Sequence, residues 1–190
     1  MNVLFSELRM PDKMENPEMQ KDLINSFLKK VQLFGDLDDI EISLVASRIE
    51  KKELAQNELL FEENSPRQNL YLIYDGEVDL FKKTPYGEEK RLSFFRKYDF
   101  LGEGALMDDY PHSTSARALL KTTILTINRN VFREIIEEKP LIGAKVLSRV
   151  ARVISRRMRQ ASTHVANAGA QYISGRTRTE HDLLGDREVP

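Results

Sequence analysis

A chain of 190 residues with 29 Lys and Arg against 30 Asp and Glu, 41% hydrophobic residues and neither cysteine nor tryptophan suits one globular domain with extensions, or two very small ones. The missing cysteines exclude a disulfide framework, thiolate metal sites and thiol nucleophiles, and a formal charge of −1 sends any electrostatic partner to local clusters. No apolar run approaches the roughly 20 residues of a membrane span, and the N-terminus lacks the continuous apolar stretch of a secretory signal, which makes the cytoplasm the default compartment.

Residues 1–19, with Pro11, Pro17 and four methionines, are expected to form an arm. From Gln20 the pattern is helical: Leu23, Ile24, Phe27, Leu28 and Val31 recur at three- and four-residue steps. Phe34-Gly35-Asp36 breaks that helix, and Ile40, Ile42, Val45, Ala46 and Ile49 predict a second short one. Residues 52–128 change character. Short apolar-alternating runs are separated by turn residues every 8–12 positions or so, the pattern of an antiparallel sandwich or barrel. Strands are predicted in LLFEEN (59–64), NLYLIY (69–74), EVDLFKK (77–83), EKRLSFF (89–95), ARALL (116–120) and TTILTIN (122–128). Asp75-Gly76 gives a hairpin signal; Pro85-Tyr86-Gly87, Lys97-Tyr98-Asp99 and Lys121-Thr122 are further turns. Val131 starts a helix that Pro140 interrupts. From Leu141 the helical period returns. Ala144, Leu147, Ala151, Ile154, Met158, Ala161 and Val165 make a seam of about three heptads, and the other faces carry Lys145, Arg149, Arg152, Arg156, Arg157 and Arg159. After Asn167 the chain turns polar and holds Gly169, Gly175 and Gly185, as a linker does. The order predicts an α+β fold: an antiparallel, jelly-roll-like β-roll over 20–140 with N-terminal helices, a long C-terminal helix over 141–166, and a tail over 167–190.

The segment Phe100 to Ala118, FLGEGALMDDYPHSTSARA, is chemically the most unusual. Gly102 and Gly104 permit close backbone approach to a ligand, and Gly-Glu-Gly-Ala suits the opening of a short helix. Glu103 makes sense as an acceptor for a sugar hydroxyl. His112, Ser113 and Thr114 follow Pro111, where side chains and free N–H groups would close a cradle for an anion. The bland alternative is that these glycines only make turns. Asp108-Asp109 reads most simply as helix capping or solvation. Three histidines, at 112, 164 and 181, show no metal spacing, and neither a P-loop nor a Ser/His/Asp set is present. No catalytic residue, metal site or cofactor is therefore expected.

At these residues the chain resembles the cyclic nucleotide-binding domain family, which includes the catabolite activator protein and protein kinase A regulatory subunits. Leu101-Gly102-Glu103-Gly104-Ala105-Leu106 is similar to the first half of the family's phosphate-binding cassette, and Pro111-His112-Ser113-Thr114 occupies the second half. FLKKVQLFGDL, NLYLIYDGEVDLF and VFREIIEEKP resemble the flanking elements, so the likeness covers about residues 25–160. It implies cyclic AMP, cyclic GMP or another small anion as ligand. It also implies backbone N–H groups of Gly102 and Ala105 on the phosphate, Glu103 on the ribose 2′-hydroxyl and a further donor at Ser113. His112 stands where the family has arginine, Gly104 where it has a bulkier apolar residue, Thr114 where it has alanine and Tyr98 where glycine is common. A histidine offers one N–H and a partial charge in place of a permanent two-pronged fork, a loss of roughly 2–4 kcal/mol. Three outcomes stay open: weak cyclic-nucleotide binding, another anion, or a purely structural loop.

The family's corresponding helix pairs through such a seam, which implies a homo-oligomer through residues 144–165. Packing of the seam back onto the roll, and nucleic-acid contact by the arginines, are the alternatives. The residues past Gln160 carry no helix-turn-helix pattern, so nucleic acid is the weaker of them. The tail from Arg178 to Pro190 resembles a different family, the opening segment of aspartate ammonia-lyases and class II fumarases, through Arg178, Glu180, Asp182, Leu183, Leu184, Gly185, Arg187, Val189 and Pro190. That likeness implies a sensor domain attached to a lyase. A ligand-free oligomerisation module and a stand-alone transcription regulator are the rival readings.

Overall fold

The computed structural model describes residues 17–184, so the expected arm, apart from its last three residues, and the last six residues of the tail lie outside it. The chain divides into two units, one ending at Arg149 and one beginning at Val150. In the first, α1 (Pro17–Leu28) opens on a proline with Glu18 in the first turn, both favourable at a helix N-terminus. A 3₁₀ turn, Gln32–Phe34, buries Leu33 and Phe34. In α2 (Asp39–Ala46) the Asp38 side chain accepts from the Ile40 and Glu41 amides, and Glu41 reaches back to the Asp38 amide, a reciprocal cap that fixes where the helix starts.

Eight strands follow: β1 (Glu50–Leu54), β2 (Leu59–Phe61), β3 (Asn69–Asp75), β4 (Glu77–Lys83), β5 (Glu89–Arg96), β6 (Phe100–Leu101), β7 (Ser115–Ala118) and β8 (Thr122–Asn128). They form two four-stranded antiparallel sheets, in the orders β1-β8-β3-β6 and β2-β7-β4-β5. Leu54, Phe61, Ile73, Val78 and Ile124 are among the buried side chains packed together between them. The roll expected from the alternating runs is the roll observed.

Its topology corrects one expectation. Asp75-Gly76 does not close a hairpin: β3 pairs with β6 and β8, whereas β4 pairs with β5 and β7. The dipeptide is the corner at which the chain leaves one sheet for the other, and a register shift between Ile73 and Asp75 bends the strand into it. Only Gly76 takes a left-handed conformation there, at φ +96°. Thr122, at the opposite crossing from β7 to β8, packs against it and bonds the Glu77 amide and carbonyl. The Pro85-Tyr86-Gly87 turn is a true hairpin between β4 and β5.

After β8, Asn128 caps α3 (Arg129–Glu138) by accepting from the Asn130 amide, and Pro140 begins α4 (Pro140–Leu184). Within the first unit Lys145 bonds Glu41 at 2.7 Å and Arg149 forms a two-pronged pair with Asp36. These two cations of the expected basic face therefore belong to helix packing. The helix also runs through Gly169 and Gly175, where a polar linker was expected. A glycine costs a helix only about 1 kcal/mol relative to alanine, and no proline stands between Pro140 and Pro190 to stop it. Among the described residues no helix is long and apolar enough to cross a membrane.

Two glycines with similar backbone angles separate strain from crowding. A Cβ on Gly76 would fall 2.4 Å from the Thr122 hydroxyl and 2.7 Å from its Cα, whereas one on Gly87, at φ +85°, meets nothing within 4 Å. Left-handed strain alone gives Gly87→Ala a loss of about 1 kcal/mol, and added overpacking takes Gly76→Ala to about 3 kcal/mol. Urea denaturation of both variants checks this; equal losses would show that the corner is not tightly packed.

Candidate functional site

The pairing of β6 with β3, Tyr71 opposite Leu101 and Leu72 opposite Phe100, brings the chain to the segment singled out above. Gly102 is left-handed at φ +76°, and a Cβ on it would lie 2.7 Å from the Asn69 carbonyl oxygen and 2.9 Å from the Tyr71 ring. It precedes a 3₁₀ turn, Glu103–Leu106, closed by the Ala105 amide donating to the Gly102 carbonyl at 2.9 Å. The Met107 and Asp108 amides both donate to the Gly104 carbonyl, at 3.0 and 3.1 Å. The Ala105 N–H, which the resemblance assigns to a phosphate, is thus engaged inside the turn, because i→i+3 bonding uses it. Leu101 and Ala105 are buried, and Glu103 is half-buried.

His112 is 4% exposed. Its ring stacks on Phe61 with centroids 3.7 Å apart and planes within 10°, and lies 6.5 Å from the Tyr71 ring. Reciprocal backbone bonds, from the Asn64 amide to the His112 carbonyl at 2.7 Å and from the His112 amide to the Ser65 carbonyl at 2.9 Å, hold it there. The ring atom Nε2 is buried and has no hydrogen-bond partner. Burial, and secondarily the nearby Arg67 charge, pull the His112 pKa down to about 4, so the imidazole is neutral near pH 7. Ser113 is exposed and its carbonyl accepts from Lys82 Nζ at 3.0 Å; Thr114 is half-buried.

Two arginines that the motif did not mark complete the site. Arg67, in the loop between β2 and β3, lays its guanidinium over Gly104 and pairs with Asp108. Its side chain is 17% exposed, and its Nε is buried without a partner. Arg129, the first residue of α3, donates to the Ala105 carbonyl at 3.0 Å and to the Arg67 carbonyl, and pairs with Asp109. Asp108 and Asp109, expected only to cap or solvate, each hold an arginine; Asp108 also accepts from the Tyr110 amide. Gly102 and His112 therefore share the Tyr71 ring as a neighbour, and Gly104 and His112 share Arg67. The Ser113 carbonyl is held instead by Lys82 of β4. The sequence signal that would have pointed to Arg67 is the pair of departures at positions 104 and 112 taken together. Among the described residues no cluster of His, Asp and Glu has the arrangement to hold a metal ion.

Residues 51–139 match the family described as the cyclic nucleotide-binding domain. The CRP-like cAMP-activated global transcriptional regulator of Mycobacterium tuberculosis is 24% identical over 164 residues, covering 86% of this chain and 71% of that protein. A cAMP-dependent protein kinase regulatory subunit of Hypocrea atroviridis is 30% identical over 123 residues, which span 65% of this chain and 26% of that protein. The crystal structure of the Thermus thermophilus catabolite activator protein superposes with a TM-score of 0.65 at 28% identity, over 73% of this chain and 63% of that one.

The buried imidazole makes stability depend on pH. The unfolded chain takes up its proton near pH 6.5 and the folded one near 4, so between these values the unfolded state binds more protons. The stability present above pH 6.5 is then lost as pH falls toward 4, by up to about 3 kcal/mol. His112→Phe keeps the stack on Phe61 and cannot titrate. Denaturation at pH 7 and pH 4.5 is expected to show a larger loss for the wild type than for this variant; equal losses would place His112 in water.

Proposed function

We propose that this domain, whose residues 51–139 match the cyclic nucleotide-binding domain family, senses cyclic AMP or cyclic GMP at the Gly102–Thr114 segment and passes the binding event to α3. The observation that carries this reading is the convergence of Gly102, Gly104 and the unpartnered imidazole of His112 on Tyr71 and Arg67. A buried polar atom without a partner costs about 1–3 kcal/mol, and a ligand that supplies the missing bond recovers that cost. Glu103 accepts the ribose 2′-hydroxyl, as the family resemblance implies. Arg129 couples the site to the helix, since one guanidinium at the start of α3 holds the turn carbonyl of Ala105, the loop carbonyl of Arg67 and the Asp109 carboxylate. Ligand shifts the helix arrangement only through its different affinity for the two states. The kinase and activator relatives bear names that refer to cyclic AMP, which supports the choice of ligand class.

Assembly through α4 is the finer part of the proposal. Ala144 and Ala151 are exposed, Met158 is 66% exposed, and Leu147 and Ile154 are half-buried, so the expected seam offers apolar side chains to a second copy. Attachment to an aspartate ammonia-lyase rests on the tail pattern from Arg178 alone, and none of the relatives named above is a lyase.

Titration calorimetry with cyclic AMP, cyclic GMP and their 2′-deoxy forms tests the sensing role. A charge-assisted bond contributes about 1.5–3 kcal/mol, so the deoxy ligands and the Glu103→Gln variant are each expected to bind at least tenfold more weakly. In Glu103→Gln the difference between ribose and deoxyribose ligands shrinks. Absence of heat from the wild type at millimolar ligand would end this reading. For the seam, light scattering of Ala151→Glu with Met158→Glu is expected to give a lower mass than the wild type; an unchanged mass dismisses the paired helix.

A further inference from the structure

The resemblance places the phosphate-pairing charge at position 112, but a neutral imidazole stands there, stacked on Phe61. A full positive charge is nevertheless at the site. The Arg67 guanidinium lies so close to Gly104 that a Cβ on that residue would fall 2.2 Å from Nη1 and 2.4 Å from Cζ. Any side chain at 104 would expel it, so the glycine that departs from the family's bulkier residue is what admits the arginine. The loop that carries Arg67 is not free to wander: Arg129 binds the Arg67 carbonyl with its side chain and the Gln68 carbonyl with its backbone amide, the latter at 2.8 Å. Arg67 Nε and His112 Nε2 are both buried without partners. Within this chain the guanidinium faces Asp108, a carboxylate.

We propose that Arg67 is the anion-pairing residue of this site, with Gly104 as the position that admits its guanidinium and Asp108 as the carboxylate that occupies it until a phosphate group takes its place. The guanidinium fork matches two oxygens of a phosphate as it matches a carboxylate. The charge missing from position 112 is thus supplied from the β2–β3 loop, 45 residues earlier in the chain. This inference rests on the sensing role proposed above, and the ligand chemistry it names is a phosphate group, whether in a cyclic nucleotide or as the free ion.

The test is calorimetry on the full chain with cyclic AMP, cyclic GMP and inorganic phosphate, for the wild type, Arg67→Ala, Arg67→Lys and Gly104→Ala, with a melting curve for each. Arg67→Ala is expected to weaken binding at least tenfold. Arg67→Lys, which keeps the charge and loses the fork, falls between it and the wild type. Gly104→Ala weakens binding although it removes no polar group. If Arg67→Ala melts like the wild type and binds as tightly, the inference is overturned while cyclic-nucleotide sensing stands. If the wild type binds inorganic phosphate alone and Arg67→Ala loses it, sensing of cyclic nucleotides falls and the assignment of Arg67 stands. A wild type that binds none of the three overturns both.

Discussion

One guanidinium fixes the relation between the parts that matter here. Arg129 sits where β8 ends and α3 begins, 15% exposed, and its donors reach the Ala105 carbonyl, the Arg67 carbonyl and the Asp109 carboxylate. Those acceptors come from the 3₁₀ turn, the β2–β3 loop and the segment after the turn. An arginine side chain has five donors in a rigid planar fork, so it holds several acceptors at once only where they already stand at matching positions. The turn cannot shift without disturbing the first residue of α3, nor can α3 tilt without pulling on the loop that carries Arg67. The Asn128 cap reinforces the same junction, since its side chain also donates to Asn69 Oδ1 at 3.1 Å.

The site was partly legible in the sequence. The glycines, Glu103 and His112 are a local string of residues, and a string is what a motif records. Arg67 was not legible, because it arrives from a loop whose place beside the turn follows from the pairing of β3 with β6 and from Arg129. Two substitutions that each look like damage, glycine at 104 and histidine at 112, become a single rearrangement once the guanidinium is seen to fill the space that one opens and to supply the charge that the other lacks. The inward packing of His112 was likewise beyond sequence reasoning. A ring at that position serves an aqueous cradle and an aromatic stack equally well until Phe61 is known to lie beneath it.

The fold divides along similar lines. Strands that bury runs of side chains, such as β3, β4 and β8, announce themselves by their apolar residues. Strand β1, Glu-Lys-Lys-Glu-Leu, does not: four of its five side chains are exposed, and backbone pairing with β8 alone makes it a strand. Strand β6 is two residues long, too short for any period to show. Asp-Gly marked a reversal correctly, but whether a reversal joins neighbours in one sheet or carries the chain between two depends on partners elsewhere, here β8 and β7. The helix beyond Asn167 was read as a linker because glycines count heavily in short windows, while the penalty for two of them is small over 45 residues.

Among the described residues, the four border strands of the two sheets differ in how they would meet foreign backbone. An unpaired strand is a template for foreign backbone, and proteins blunt such templates by brevity or by charge. Strand β1 carries two lysines and two glutamates, while β2 and β6 are three and two residues long. Strand β5 is the exception: eight residues at the border of its sheet, with Leu92 and Phe94 each about half uncovered. Its cationic residues are Lys90 and Arg91 toward one end, the latter bonded to the buried Asp79 carboxylate, and Arg96 at the other. The longest and most apolar border of the roll is thus guarded by charge rather than by brevity, and charge is the kind of guard that salt screens.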